Sequence, residues 1–275
     1  MGGQSIDVEL AYDRFIANGD ELDELERVLR EAAPKWSAGL RIQLEPREHE
    51  PVDDRSGALR NAIVAAAATR GPTYHAIIAE YGGVDERLSG SAEVRGASPD
   101  LIVVVGVDEH PFSRIGGALI LANHISLQIR RAKIERRSAS EWALDVFRDL
   151  CDRTSPAWGS VCDSGEYWAK VMSDGPTIAA VGRDFGRYMP GVFSATFFGA
   201  PYVELLGRER LLDAPAEEVS PVDAGILAVR DTAPQAWNSP AREEADQRLL
   251  DHLGREHFFA KPHPPDLSRA SDWPE

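Results

Sequence analysis

FSATFFGAPYVELLGRERLLDAPAEEV, running from Phe193 to Val219, is the stretch on which the fold turns. Its first part, within GVFSATFFG, is aromatic and reads as a strand. Gly199, Ala200 and Pro201 then punctuate the chain, and Pro201 opens a short helix, PYVELLGRERLL. Phe197, Phe198, Tyr202, Leu205 and Leu206 read as core, Gly199 as a turn and Gly207 as a helix stop. Arg208 has no role that local pattern assigns. Burial against a carboxylate would make it structural, and a place in a cleft would make it a candidate for chemistry.

Working outward, AGILAVRD reads as a strand, and SPAREEADQRLLDHLG as a helix capped by Ser239 and stopped by Gly254. The tail beyond Phe259 is rich in proline and reads as extended and flexible. Upstream, AWGSVCDSGEYW reads as a strand and a turn. SASEWALDVFRDLCDRT reads as a helix capped by Ser138 or Ser140, with Trp142, Val146, Phe147 and Leu150 along one face. DLIVVVGVDE and GALILANHISLQIRR read as two strands of a hairpin joined through HPFSRIGG.

At the amino-terminal end, IDVELAYDRFI alternates as a half-buried strand does. Asp20 then caps a helix whose Leu22, Leu25, Val28 and Leu29 recur at helical spacing until Pro34. GLRIQLEP alternates as a strand, REHEPVDDRSG reads as a loop, and GALRNAIVAAAATR as an alanine-rich helix. TYHAIIAEYGG suits either a strand or a helix, and residues 84–99 read as an exposed loop. Strands and helices mix without a strict βαβ rhythm. The expectation is an α+β fold, with mixed or antiparallel sheets flanked by helices and two halves of similar size. The halves are 1–137, carrying an acidic segment, and 138–259, followed by a flexible tail at 260–275.

Charge narrows function. The 275 residues carry a formal charge of −15, which disfavours nucleic acid and anionic membranes as direct partners. From Asp7 to Asp54 there are fourteen acidic residues against six basic ones. Such a surface suits either plain solvation or a basic protein partner, and Asp20, Glu21, Asp23, Glu24 and Glu26 are the first candidates to meet one. The basic run RRAKIERR, Arg130 to Arg137, reads as a solvated connection. The longest apolar runs fall short of a membrane span, and Met1 to Leu10 lack the pattern of a secretory signal, so the expected location is cytoplasmic. Cys151 and Cys162, the two cysteines, then read as reduced structural thiols.

Catalytic signatures are sparse. The sequence holds no HExxH, GxSxG, Walker A or GxGxxG pattern, and its DFG at 184–186 stands without the other kinase motifs. Asp108 and His110 lie close together in DEHPF, where a strand should end. With Tyr202 and Arg208 they make up the one pocket an enzyme reading would need, for a small-molecule reaction of unknown type. A non-catalytic scaffold or regulatory protein is a third class. No metal or cofactor is expected.

Three passages together carry a family resemblance: SPAWGSVCDSGEYW (155–168), the Phe193–Val219 stretch, and the helix ending HLGREHFF (252–259). They resemble the immunity protein 52 family of bacterial polymorphic-toxin systems. The residues that carry the likeness are Phe197, Phe198, Gly199, Pro201, Tyr202, Gly207 and Arg208, which are apolar and turn-forming rather than catalytic. The resemblance implies a cytosolic α+β protein without enzymatic activity. It would bind and neutralise a cognate toxin in interbacterial competition, and the acidic surface suits a basic toxin.

Overall fold

The computed structural model describes residues 5–14, 16, 20–32, 41–44, 48–51, 75–81, 101–107, 112–115, 118–121, 123–130, 133–134, 137–171 and 188–259. The first part of the chain forms β1 (Ile6–Tyr12), α1 (Glu21–Ala32), β2 (Arg41–Leu44), β3 (Glu48–Pro51), β4 (His75–Tyr81) and β5 (Leu101–Val107). Next come β6 (Phe112–Ile115), β7 (Ala118–Leu121), β8 (Asn123–Ile129), β9 (Lys133–Ile134) and β10 (Arg137–Ser138). The remainder forms α2 (Ala139–Thr154), β11 (Trp158–Asp163), α3 (Ser164–Val171), β12 (Ala195–Gly199), α4 (Ala200–Leu206) and α5 (Arg208–Leu212). It closes with β13 (Glu218–Val222), β14 (Gly225–Val229) and α6 (Pro240–Leu253).

Ten strands make one antiparallel sheet in the order β13-β14-β12-β11-β1-β8-β5-β4-β2-β3. The fold is therefore α+β, as the mixed pattern implied. The boundary at 137/138 falls inside β10, just before α2, and β1 pairs with β8 on one side and β11 on the other. The sheet is thus continuous across that boundary.

One face of the sheet buries Ile6, Val8, Leu10 and Tyr12 of β1 with Leu101, Val103 and Val105 of β5 and Ile125, Leu127 and Ile129 of β8. The α1 side chains Leu22, Leu25 and Val28 and the α2 side chains Trp142, Val146, Phe147 and Leu150 cover them. The other face, from β11 to β14, packs Trp158, Phe198 and Ile226 against Tyr202, Leu206, Leu211, Leu249 and Leu253. Cys151 and Cys162 are both free and buried, one in each layer.

Helix α2 begins with a reciprocal cap. Ser138 Oγ accepts from the Glu141 N–H and the Glu141 carboxylate accepts from the Ser138 N–H, each at 3.2 Å, so Ser138 rather than Ser140 is the cap. At the other end, Arg14 donates to the Ser155 carbonyl at 2.8 Å and to that of Thr154, placing a cation on the helix's negative end.

The opening passage folds as β12, α4 and α5, with Phe197, Phe198 and Tyr202 buried and Pro201 in the first turn of α4. Gly207 adopts φ +87° and divides the expected single helix in two. Gly199 is needed for close approach. A Cβ there would overlap the Pro156 carbonyl and come within 2.6 Å of the Ala157 carbonyl, which accepts from the Gly199 N–H at 3.0 Å. Gly199→Ala is therefore expected to cost about 1–3 kcal/mol, read as a lower urea midpoint with unchanged m-value.

Several local expectations change. EHEP, Glu48–Pro51, forms β3 rather than a loop, because an edge strand pairs on one side only and tolerates charge and Pro51. The unread strand β13 occupies the opposite edge for the same reason, with Pro221 inside it. The run read as one strand from Gly117 divides into β7 and β8. β8 pairs with β5 as expected, while β7 pairs with β6 in a separate ribbon. Within the ambiguous segment, His75–Tyr81 forms β4, paired with β5 along all seven residues. The expected turn after β11 is the start of α3, where Asp163 Oδ1 accepts from the Gly165 N–H at 2.8 Å. Leu205 is 43% exposed rather than core, because Tyr202 and Leu206, one turn apart, define the buried side of α4. The expected helix at 57–70, the loop at 84–99 and the tail at 260–275 lie outside the described residues.

Candidate functional site

The acidic helix α1 divides its carboxylates between the fold and the surface. Glu21 is buried and accepts from Arg14 Nε at 2.9 Å, so it holds the arginine that closes α2. Glu24 pairs with Arg27 and, at 3.4 Å, with Arg153 of α2, and Glu31 meets the same Arg153 at 3.5 Å. Glu26 is only 5% exposed. Asp23 is half-buried and Asp20 is exposed just before the helix, its carbonyl accepting from the Glu24 N–H at 2.8 Å. Of the five sequence candidates, Asp20 is the one the fold leaves fully at the surface.

The densest charge cluster lies in the second layer. Arg230, just past β14, has a side chain 1% exposed. Its Nε donates to Asp231 at 2.7 Å, Nη1 to Glu166 at 2.9 Å and to Asp246, and Nη2 to Ser194 Oγ at 3.1 Å. Lys170 directs its three donors at Glu166 (2.7 Å), Asp246 (2.6 Å) and the Val192 carbonyl (2.7 Å). Arg242 stands 3.4 Å from Asp231. Three cations therefore meet three carboxylates, joining α3, the end of β14 and α6. Burial pushes the Glu166 carboxyl up from its ordinary range, with Lys170 and Arg230 pulling it back. Burial lowers the Arg230 guanidinium and its carboxylates more than reverse that, leaving it raised. A cluster so densely paired works as a clasp, although Glu166 Oε2 is buried without a hydrogen-bond partner.

A second polar group marks a step in the sheet. β11, β12 and β14 are buried on both faces, whereas β5 and β8 alternate between buried and half-buried residues. On their half-buried face stand Ile102, Val104, His124, Ser126 and Gln128. β1 lies at the transition, with Asp7 and Glu9 turned to that face. Asp7 is opposite Gln128 and Cys162 in register, and Glu9 is opposite Ser126 and Ser160. The Asp7 carboxyl is raised to about 6, chiefly by burial, with Glu9 and Asp163 raising it further and hydrogen bonds to Ser164 and Gln128 opposing.

The pocket required by an enzyme reading is not assembled from the described residues. Tyr202 is 2% exposed in the core and Arg208 is exposed, while Asp108 and His110 lie outside the described residues. Among the described residues no group of three or more His, Cys, Asp or Glu is placed to hold a metal. Among them, too, no helix is long and apolar enough to cross a membrane. Sequence reasoning missed both the clasp and the step. The clasp residues lie up to 80 positions apart, and the pairing of Asp7 with Gln128 depends on register; their one local signal was a charged residue inside an apolar strand.

No protein-family model matches this chain, and no curated protein matches it. Among solved structures, the Pseudomonas aeruginosa T6SS protein PA0821 is similar, with a TM-score of 0.59 at 13% identity, covering 98% of this chain and 82% of that one. The likeness is one of fold.

Proposed function

We propose that this chain is a non-enzymatic immunity protein that binds and neutralises a cognate bacterial toxin, using an acidic surface to meet a basic one. The observation that carries the reading is the excess of fourteen acidic over six basic residues between Asp7 and Asp54, in a chain of net charge −15. A field of one sign accelerates encounter with an oppositely charged protein. The fold shared with a T6SS protein along nearly the whole chain supports the same reading, since such a protein belongs to a setting of competition between bacteria. The clasp supports binding over chemistry, because its cations and carboxylates serve one another.

The test is direct binding and protection. The purified chain is mixed with the toxin-domain protein encoded beside its gene, and cells expressing that toxin are scored for survival with and without the chain. No binding, or survival of cells that lack the chain while the toxin is active, removes the proposal. Within the complex, Asp20→Lys with Asp23→Lys is expected to slow association at least about ten-fold at low salt, an effect that fades as salt rises. Glu21→Lys is expected to act differently, lowering stability through loss of the Arg14 contact at 2.9 Å. Stopped-flow association and urea unfolding separate the two effects.

A further inference from the structure

We propose that the outer face of α3 anchors the basic protein partner, with an arginine of that partner stacked on the Trp168 indole. The inference rests on the reading of the chain as a binder of a basic protein and says which surface holds it.

Helix α3 is turned inside out. A helix at a protein surface ordinarily points its charged side chains at water and its apolar ones at the core. The two charged residues of α3 do the reverse. Glu166 is 0% exposed, and Lys170 directs its donors at Glu166, Asp246 and the Val192 carbonyl. What α3 shows to solvent is Gly165, Trp168 and Ala169, none of them charged. Trp168 is 51% exposed, more than any other large apolar side chain among the described residues. One turn before it, Gly165 borders a second indole, since a Cβ there would stand 3.5 Å from Trp237 Cζ2 and Nε1.

The clasp enforces this orientation. Glu166 and Lys170 are four residues apart on the side of α3 that meets Arg230 and Asp246. Trp168 is two residues from each, which is about 200° around a helix of 3.6 residues per turn, so it faces away from both. The backbone beneath the indole is therefore held by ion pairs before any partner arrives, which lowers the ordering cost of binding.

Charge selects the occupant. A second copy would bring −15 against −15 and is repelled, whereas a cationic protein is drawn in. The π face of an indole attracts a guanidinium, and α3 exposes no cation beside Trp168 to compete for it. α3 packs on the face of the sheet opposite α1, so the α1 carboxylates reach this partner through their field, whose range is about 30 Å at 0.01 M salt. The acids then govern association and Trp168 governs dissociation.

The chain is labelled with fluorotryptophan, and Trp168→Phe identifies the Trp168 fluorine signal. In the free chain that signal is expected to show the solvent isotope shift of an exposed indole, unchanged on dilution. A signal without the shift would mean that the chain covers Trp168 itself, and one that moves on dilution would mean that a second copy does; either overturns the proposal. The toxin-domain protein encoded beside the gene is then added. The Trp168 signal is expected to lose its isotope shift, and Trp168→Ala to raise the dissociation rate at least about ten-fold with the association rate and urea midpoint unchanged. Trp168→Leu, apolar but without a π face, is expected to lose most of the same affinity. Full affinity in Trp168→Leu, or an unchanged dissociation rate in Trp168→Ala, overturns the anchor and leaves the immunity reading standing. If the wild-type chain does not bind that toxin at all, the immunity reading falls and the anchor falls with it.

Discussion

Arg230→Met is expected to lower the unfolding free energy by about 3–5 kcal/mol, the range for removing one partner of a buried ion pair. The guanidinium is held between Asp231, Glu166, Asp246 and Ser194 with its side chain 1% exposed. Methionine fills much of its volume and leaves three carboxylates facing Lys170 and the more distant Arg242. The loss therefore comes from stranded charge rather than from a cavity. Arg230→Lys keeps the charge but cannot reach four acceptors with a planar fork, and an intermediate loss is expected. Adding Asp231→Asn and Asp246→Asn to Arg230→Met should recover part of the stability, because it removes two of the stranded charges. Urea unfolding of the four proteins at one pH checks this, and a full loss in the triple variant would point to packing instead.

Asp7→Asn is expected to move stability the other way, by up to about 3 kcal/mol at pH 7.5. The Asp7 carboxyl moves from 3.8 to about 6 on folding, so the folded chain holds a proton that the unfolded chain has released. A raised acid favours folding below its unfolded value, and that contribution is lost as pH rises through the interval from about 4 to about 6. Above the interval the wild-type chain carries a buried charge beside Glu9 and Asp163, and asparagine does not. The gain should shrink as pH is lowered from 7.5 to 5 and vanish near 4. Glu166, also raised by burial, adds to the wild-type slope in the same direction and is common to both proteins. Thermal unfolding across this pH range measures the difference. A gain independent of pH would show that repacking rather than charge is responsible.

The two variants bracket the two polar groups of the second layer. Removing the guanidinium from the clasp strands three carboxylates, whereas removing the Asp7 charge relieves a buried carboxylate beside Glu9 and Asp163. A carboxylate kept at a cost to stability is what a binding residue looks like. That contrast separates structural charge from candidate functional charge in a protein where both are abundant.

Much of the fold was legible locally. The 3.6-residue spacing of Leu22, Leu25, Val28 and Leu29 marks α1, the Ser138 and Glu141 pair marks the start of α2, and the alternation of Ile6, Val8 and Leu10 marks β1. Each signal is contained within a few residues, so the sequence by itself determines these elements and the α+β class. Local pattern failed where neighbours decide. Edge strands β3 and β13 carry charge and proline because only one side pairs, and Leu205 is exposed because nothing in the described layer covers the outer side of α4.

The candidate site belongs wholly to the second kind. An acid count establishes that the chain is strongly negative, but not which carboxylates are free to act. Only tertiary structure sets Glu21 against Arg14 and Glu24 against Arg153, commits Glu166, Asp231 and Asp246 to Arg230, and places Asp7 opposite Gln128. The physical reason is range. Propensity and periodicity act over a few residues of chain, whereas the state of a charge is set by burial and by partners that strand order brings from far along it.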